Sequence, residues 1–154
     1  MFTVVLVEPQ IPQNSGNIAR LCAATEMNLV IAGQPGFSLS NRYLRRAGLD
    51  YWEFVRIQHR PDLDTFYATL DMAHTHLLTT KVNRPYTAIR PQPGDLFLFG
   101  REDAGLPEWL LHANPDSCAT IPMKNSNARS LNLATSVGIV MYHMLSLFDF
   151  GLGA

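Results

Sequence analysis

Three stretches of the chain gather amides, hydroxyls and glycines beside single charged residues: EPQIPQNSGNIAR (8–20), GREDAGLP (100–107) and PMKNSNARSLN (122–132). Such residues hold a ligand and orient its reacting groups. In the first, Asn14, Gly16 and Asn17 open a helical pattern that carries Arg20 one turn inside. Asn14 or Ser15 could cap that helix while Gly16 relieves a tight turn. Arg20, among the apolar or small Ile18, Ala19, Leu21 and Cys22, either faces solvent or points across strand ends at a ligand. In the second stretch Gly100 follows an apolar run, Gly105 comes five residues later and Glu102 lies between them. Glycines there suit either a ligand approaching the backbone or a plain turn. The third stretch leads through Asn125, Ser126, Asn127, Arg129, Ser130 and Asn132 into an apolar helix, where one capping residue would be enough.

Other chemistries lack their residues. The second stretch has the glycine spacing of a Walker A loop, but Leu106 and Pro107 stand where Lys and Ser/Thr would be needed. No GxGxxG follows a strand, no GxSxG elbow exists, and the five histidines show no HExxH spacing. No metal is expected. Cys22 and Cys118 sit in apolar stretches without a CxxC, which reads as buried thiols in a reducing cytoplasm. The net charge of −1 gives the whole molecule no pull toward nucleic acid. Its basic residues are mostly arginines, Lys81 and Lys124 being the only lysines, and a planar guanidinium permits local phosphate sites.

The elements that must position these loops alternate. Apolar or β-branched runs predict strands at Thr3–Val7, Leu29–Ala32, Phe54–Ile57, His76–Thr80, Leu96–Phe99 and Ala119–Ile121. Helices are expected over Asn17–Glu26, Asn41–Ala47, Leu63–Asp71, Glu108–His112 and Ser130–Phe148; the last carries Leu133, Val137, Val140, Met141 and Met144 at three- and four-residue spacing. The result is an α/β domain with a mostly parallel sheet, a single unit across all 154 residues. The three polar loops each follow a strand, where open parallel sheets bind ligands. The start, MFTVVLVEPQ, suits a buried strand better than a signal peptide, and no run reaches membrane-spanning length.

In this order and spacing, PQNSGNIAR, LFGREDAGLP and IPMKNSNARSLNLATSVGIVMY resemble the three motifs of the SPOUT superfamily of methyltransferases. LRRAGLDYWEF and LLTTK further resemble its short, single-domain TrmL or YibK type, which methylates the ribose at the tRNA wobble position. The resemblance implies a C-terminal deep trefoil knot, S-adenosylmethionine as cofactor, a homodimer formed through the last and first helices, and the anticodon stem-loop of tRNA as substrate. Carried over by position, Leu78, Gly100, Ile121, Ser130 and Leu131 would hold the cofactor. Arg20 would face the transferable methyl group with Asn14, Glu102, Ser130 and Asn132 nearby. Arg45, Arg46, Lys81 and Arg129 are phosphate candidates, and Tyr142 would touch RNA or the second subunit. The likeness departs at Thr135, Ser136 and His143 of the last helix. Two further readings are another tRNA or rRNA position as target, and a knotted dimer that binds RNA or cofactor without catalysis.

Overall fold

A computed structural model describes residues 1–40 and 55–152. Its centre is a six-stranded parallel sheet among the described residues: β1 (Thr3–Val7), β2 (Asn28–Ala32), β3 (Ile57–Arg60), β4 (Thr75–Leu78), β5 (Leu96–Phe99) and β6 (Cys118–Ala119), in the order β3-β2-β1-β5-β4-β6. β1 pairs with β2 on one side and β5 on the other, Val5 lying opposite both Val30 and Leu98. From this pair the chain builds outward in opposite directions, the topology that opens a crevice at the strand carboxyl ends.

The helices are α1 (Pro12–Thr25), α2 (Leu63–Ala68), α3 (Glu108–Ala113) and α4 (Leu133–Ser146). The central strands are apolar in both directions because helices cover both faces. Val4, Leu6, Leu29, Ile31, Phe97 and Phe99 point to the α1 and α4 side, where they meet Ile18, Cys22, Val137, Val140 and Met141. Their alternate neighbours Val5, Val7, Val30, Leu77 and Leu98 meet Phe66, Leu106, Leu110 and Leu111 on the α2 and α3 side. At the amino ends of β4 and β5 the buried Asp95 accepts hydrogen bonds from His74 (2.9 Å), His76 (2.7 Å) and the Gln92 N–H (2.9 Å). Burial alone would raise the Asp95 carboxyl, and these donors, led by His76, hold it below the usual carboxylate range.

Several boundaries differ from the sequence expectation. α1 begins at Pro12, five residues before Asn17, because a proline suits a first helical position and the helix draws its cap from a distant loop. α4 begins at Leu133 instead of Ser130: Asn132 is its cap, accepting from the Thr135 N–H (3.1 Å). α2 stops at Ala68, where the Thr69 hydroxyl turns back to the Phe66 carbonyl (2.7 Å). β3 runs over Ile57–Arg60, later than Phe54–Ile57, since an edge strand accommodates polar residues that an apolar-run reading discards. β4 ends at Leu78 and β6 at Ala119, which frees Thr79, Thr80 and Thr120 as loop. The helix expected over Asn41–Ala47 lies outside the described residues, as does Phe54.

Candidate active site

A carboxylate ties together the loops that follow β1 and β5. Glu102 accepts hydrogen bonds from the Gln10 N–H (2.9 Å), the Ile11 N–H (2.7 Å) and the Asn14 side-chain amide (3.2 Å). These donors lie at the start of α1, which has no side-chain cap of its own and no acidic residue in its first turn. The anion therefore acts as the missing cap, placed where the helix dipole favours negative charge. Asn14 is buried at the third helical position, so it is not the cap that its sequence position suggested. Its carbonyl oxygen accepts from the Asn132 side-chain amide (3.0 Å), and the Asn132 carbonyl oxygen in turn caps α4. Each amide is thereby oriented by its partners. Glu102, Asn14 and Asn132 form one chain of hydrogen bonds through all three polar stretches.

Beside this chain opens a cavity of about 500 Å³, within the range that accommodates a nucleotide-sized ligand. Leu78, Phe99, Ile121, Leu131 and Leu133 give it an apolar lining, while Asn14, Thr79, Glu102, Ser130 and Asn132 supply polar groups. Every residue carried over for the cofactor, namely Leu78, Gly100, Ile121, Ser130 and Leu131, is in the wall. So are Asn14, Glu102 and Asn132 of the expected catalytic set, and Lys81 and Arg129 of the phosphate set. Arg20 is not among the lining residues; it is exposed on α1, the helix whose start borders the cavity through Asn14. Tyr142 is exposed on α4, its ring tilted against Phe150 at 6.2 Å. Arg45 and Arg46 lie outside the described residues.

The structure changes the physical reading of three of these residues. A Cβ on Gly100 would fall 2.1 Å from the Gly105 carbonyl carbon and 2.2 Å from the Leu106 nitrogen. The glycine is required by its own loop folding back on it, whatever ligand binds. Gly105 is needed for a different reason, its φ of +70° as the Gly105 N–H bonds back to the Arg101 carbonyl (2.9 Å). Lys81 is held by Glu108 at 2.9 Å in an exposed ion pair, so at the cavity wall it shares its charge with a carboxylate.

Arg129 lies in the cavity rim at φ 62°, ψ −57°, with the Ser130 N–H donating to the Ala128 carbonyl at 2.7 Å. That is a γ-turn of the strained, positive-φ kind.

Sequence reasoning missed Thr80, Thr120, Met123 and Ser136 in the wall. The threonines were read as strand, whereas Ser136, whose hydroxyl bonds to the Asn132 carbonyl (3.1 Å), was visible as a departure from the family pattern. Burial pushes the Cys22 thiol up to about 12 and raises that of Cys118, so neither is a nucleophile near neutral pH. Among the described residues no group of three or more His, Cys, Asp or Glu could hold a metal ion.

A parallel sheet carrying a ligand-sized, polar-rimmed cavity over its strand ends defines an α/β protein of the kind that binds small ligands at the strand carboxyl ends. The sequence pattern of the SpoU rRNA Methylase family matches residues 1–142, and the chain belongs to that family. It is 41% identical over 143 residues to the tRNA (cytidine(34)-2'-O)-methyltransferase of Escherichia coli K12, with 92% of this chain and 90% of that protein covered. A solved structure concerned with 2-OH methylation of C/U34 on tRNA superposes with a TM-score of 0.86 at 36% identity, covering 97% of this chain and 91% of that one. The SpoU methyltransferase AviRb from Streptomyces viridochromogenes, in complex with the cofactor AdoMet, shares the fold at a TM-score of 0.79 and 21% identity, covering 96% of this chain and 57% of that one.

Proposed function

We propose that the protein transfers a methyl group from S-adenosylmethionine to the ribose 2′-hydroxyl of the wobble nucleotide of tRNA, cytidine or a modified uridine 34, with leucine tRNAs as substrates. The observation that carries this reading is the Glu102–Asn14–Asn132 chain, which locks all three motif loops around one cavity. The wall fits the cofactor: apolar side chains for an adenine, hydroxyls and amides for ribose and methionine ends. Bound there, S-adenosylmethionine supplies an electrophilic methyl carbon on a sulfonium sulfur.

Catalysis then rests on alignment and on charge. The 2′-oxygen must approach the methyl carbon opposite the sulfur and must lose its proton as the new C–O bond forms. Asn14 and Asn132, fixed by their partners, orient groups at the rim without titrating. Arg20 cannot take the proton, because a guanidinium stays protonated and has no acceptor lone pair. Its exposed place on α1 suits it to hold the substrate's adjacent phosphate and to stabilise charge developing on the attacking oxygen, the proton passing to water or another acceptor. Arg129 at the rim is a second phosphate contact.

The functional unit in this proposal is a homodimer joined through α4 and α1, and the exposed Tyr142, Leu147 and Phe150 at the end of α4 supply apolar area for it. The proposal places the protein in the cytoplasm, where buried Cys22 and Cys118 stay reduced.

The decisive experiment transfers labelled methyl to unmodified and cell-purified leucine tRNAs and maps the labelled nucleotide. Label is expected on the wobble ribose, with a loss of at least a hundredfold in Arg20→Ala and only partial recovery in Arg20→Lys, which lacks the planar fork. Label at another position, or cofactor binding with no transfer, would overturn the wobble assignment.

A further inference from the structure

Of the phosphate candidates drawn from sequence in this chain of net charge −1, Arg129 is at the cavity rim and Arg45 and Arg46 lie outside the described residues. Lys81 is paired with Glu108, and Arg101, also in the cavity wall, is paired with Asp103 at 2.8 Å. On the α2 side of the sheet, away from that cavity, lies a second groove of about 470 Å³. One wall is the edge strand β3 with the residue before it, and the other is α2 with the turn that follows. Arg56, Gln58 and Arg60 all line it, as side chains two residues apart must if they share one face of a strand, about 6.6 Å from each to the next. Arg56 and Gln58 are exposed, and the Arg60 guanidinium lies 5.5 Å from the centre of the Phe66 ring.

Neither arginine is ion-paired to a carboxylate among the described residues, unlike Lys81 and Arg101. Asp71, the carboxylate in the groove wall, already accepts the Ala73 N–H at 3.1 Å. The groove thus presents two guanidiniums with no ion pair among the described residues, flanking an amide in a row and facing the single carboxylate of Asp71, with an apolar floor that includes Val30 and Leu70. A linear array of planar forks matches a linear array of phosphates.

We propose that this groove docks the phosphate backbone of the tRNA substrate outside the anticodon loop, as a sequence-independent positioning surface. The inference rests on the tRNA reading above. Contacts of this kind set affinity and register and carry no base information. They also bring a salt dependence proportional to the phosphates engaged.

The test measures binding of full-length leucine tRNA across a range of salt concentrations for the wild type, Arg56→Gln, Arg60→Gln and the double variant, alongside S-adenosylhomocysteine affinity. Each substitution is expected to weaken tRNA binding roughly fivefold. The double variant should lower the slope of log K against log salt by about 1.5, with cofactor affinity and kcat at saturating tRNA unchanged. Unchanged tRNA affinity and slope in the double variant, with wild-type methylation intact, would overturn the groove alone. Weakened binding of inorganic phosphate without any change for tRNA would also overturn it, in favour of a small-anion site. Should Arg60→Gln lose cofactor affinity through its packing on Phe66, the exposed Arg56→Gln decides by itself. A wild type that neither binds nor methylates tRNA would remove both readings together.

Discussion

Arg129 combines an exposed charge with a backbone conformation that an L side chain rarely adopts, φ 62° and ψ −57°. Such a residue costs on the order of 1–3 kcal/mol, and the rim of the cavity is where that cost is tolerated. Charge and strain can be separated by two substitutions. Arg129→Gly and Arg129→Ala should weaken tRNA binding equally, since both remove the guanidinium. In denaturant unfolding the glycine variant should exceed the alanine variant by about 1 kcal/mol, because only glycine is relaxed at this φ. Equal stability would mean that the turn is not strained in solution. The candidate residues were legible where polar side chains interrupt an apolar chain: Asn14, Glu102, Ser130 and Asn132 all reach one cavity. Their physical roles were not. Asn14, read as a possible cap, is a relay, and Gly100, read as either a ligand approach or a plain turn, lines the cavity while packed against Gly105. Such roles depend on partners far along the chain, which local spacing does not encode.

Glu102 belongs to the loop after β5, yet the element it completes is α1. Removing it leaves the Gln10 and Ile11 N–H groups and the Asn14 amide without their acceptor. Glu102→Ala is therefore expected to destabilise the fold by about 2 kcal/mol. Amide exchange should accelerate over Gln10–Ser15 more than over the rest of α1, and cofactor affinity should fall with it as the cavity wall loosens. Global destabilisation with uniform exchange along α1 would contradict the capping role. The start of α2 was readable from its local cap, Asp62 accepting the Thr65 N–H at 3.2 Å. The start of α1 was misjudged because its cap is remote, and that of α4 because small polar residues precede its local cap, Asn132. The same limit hid the second groove: the polar edge strand Ile57–Arg60 did not match an apolar-run template.

For the whole molecule, alternation of strands and helices was enough to derive the parallel α/β sheet, because buried central strands must be apolar in both directions. Strand order was not derivable, and the expectation of a trefoil knot rests only on the resemblance, since periodicity reads the same along a knotted and an unknotted path. The proposed homodimer belongs to this scale too. Sedimentation at micromolar concentration should give twice the 17.2 kDa chain mass, and Tyr142→Glu with Leu147→Glu should shift it toward monomer; a monomeric wild type would refute the interface. One further consequence concerns synthesis. The central strand β1 waits for β5 as its second neighbour, Thr3 pairing with Leu96, and α1 waits for a carboxylate 92 residues away from Gln10. On the ribosome, the first strand and the start of the first helix must remain half-built until the chain has grown past Glu102. During that interval an apolar strand edge is open to wrong partners. The nascent chain is thus most exposed to chaperones and to aggregation until Glu102 has been synthesised.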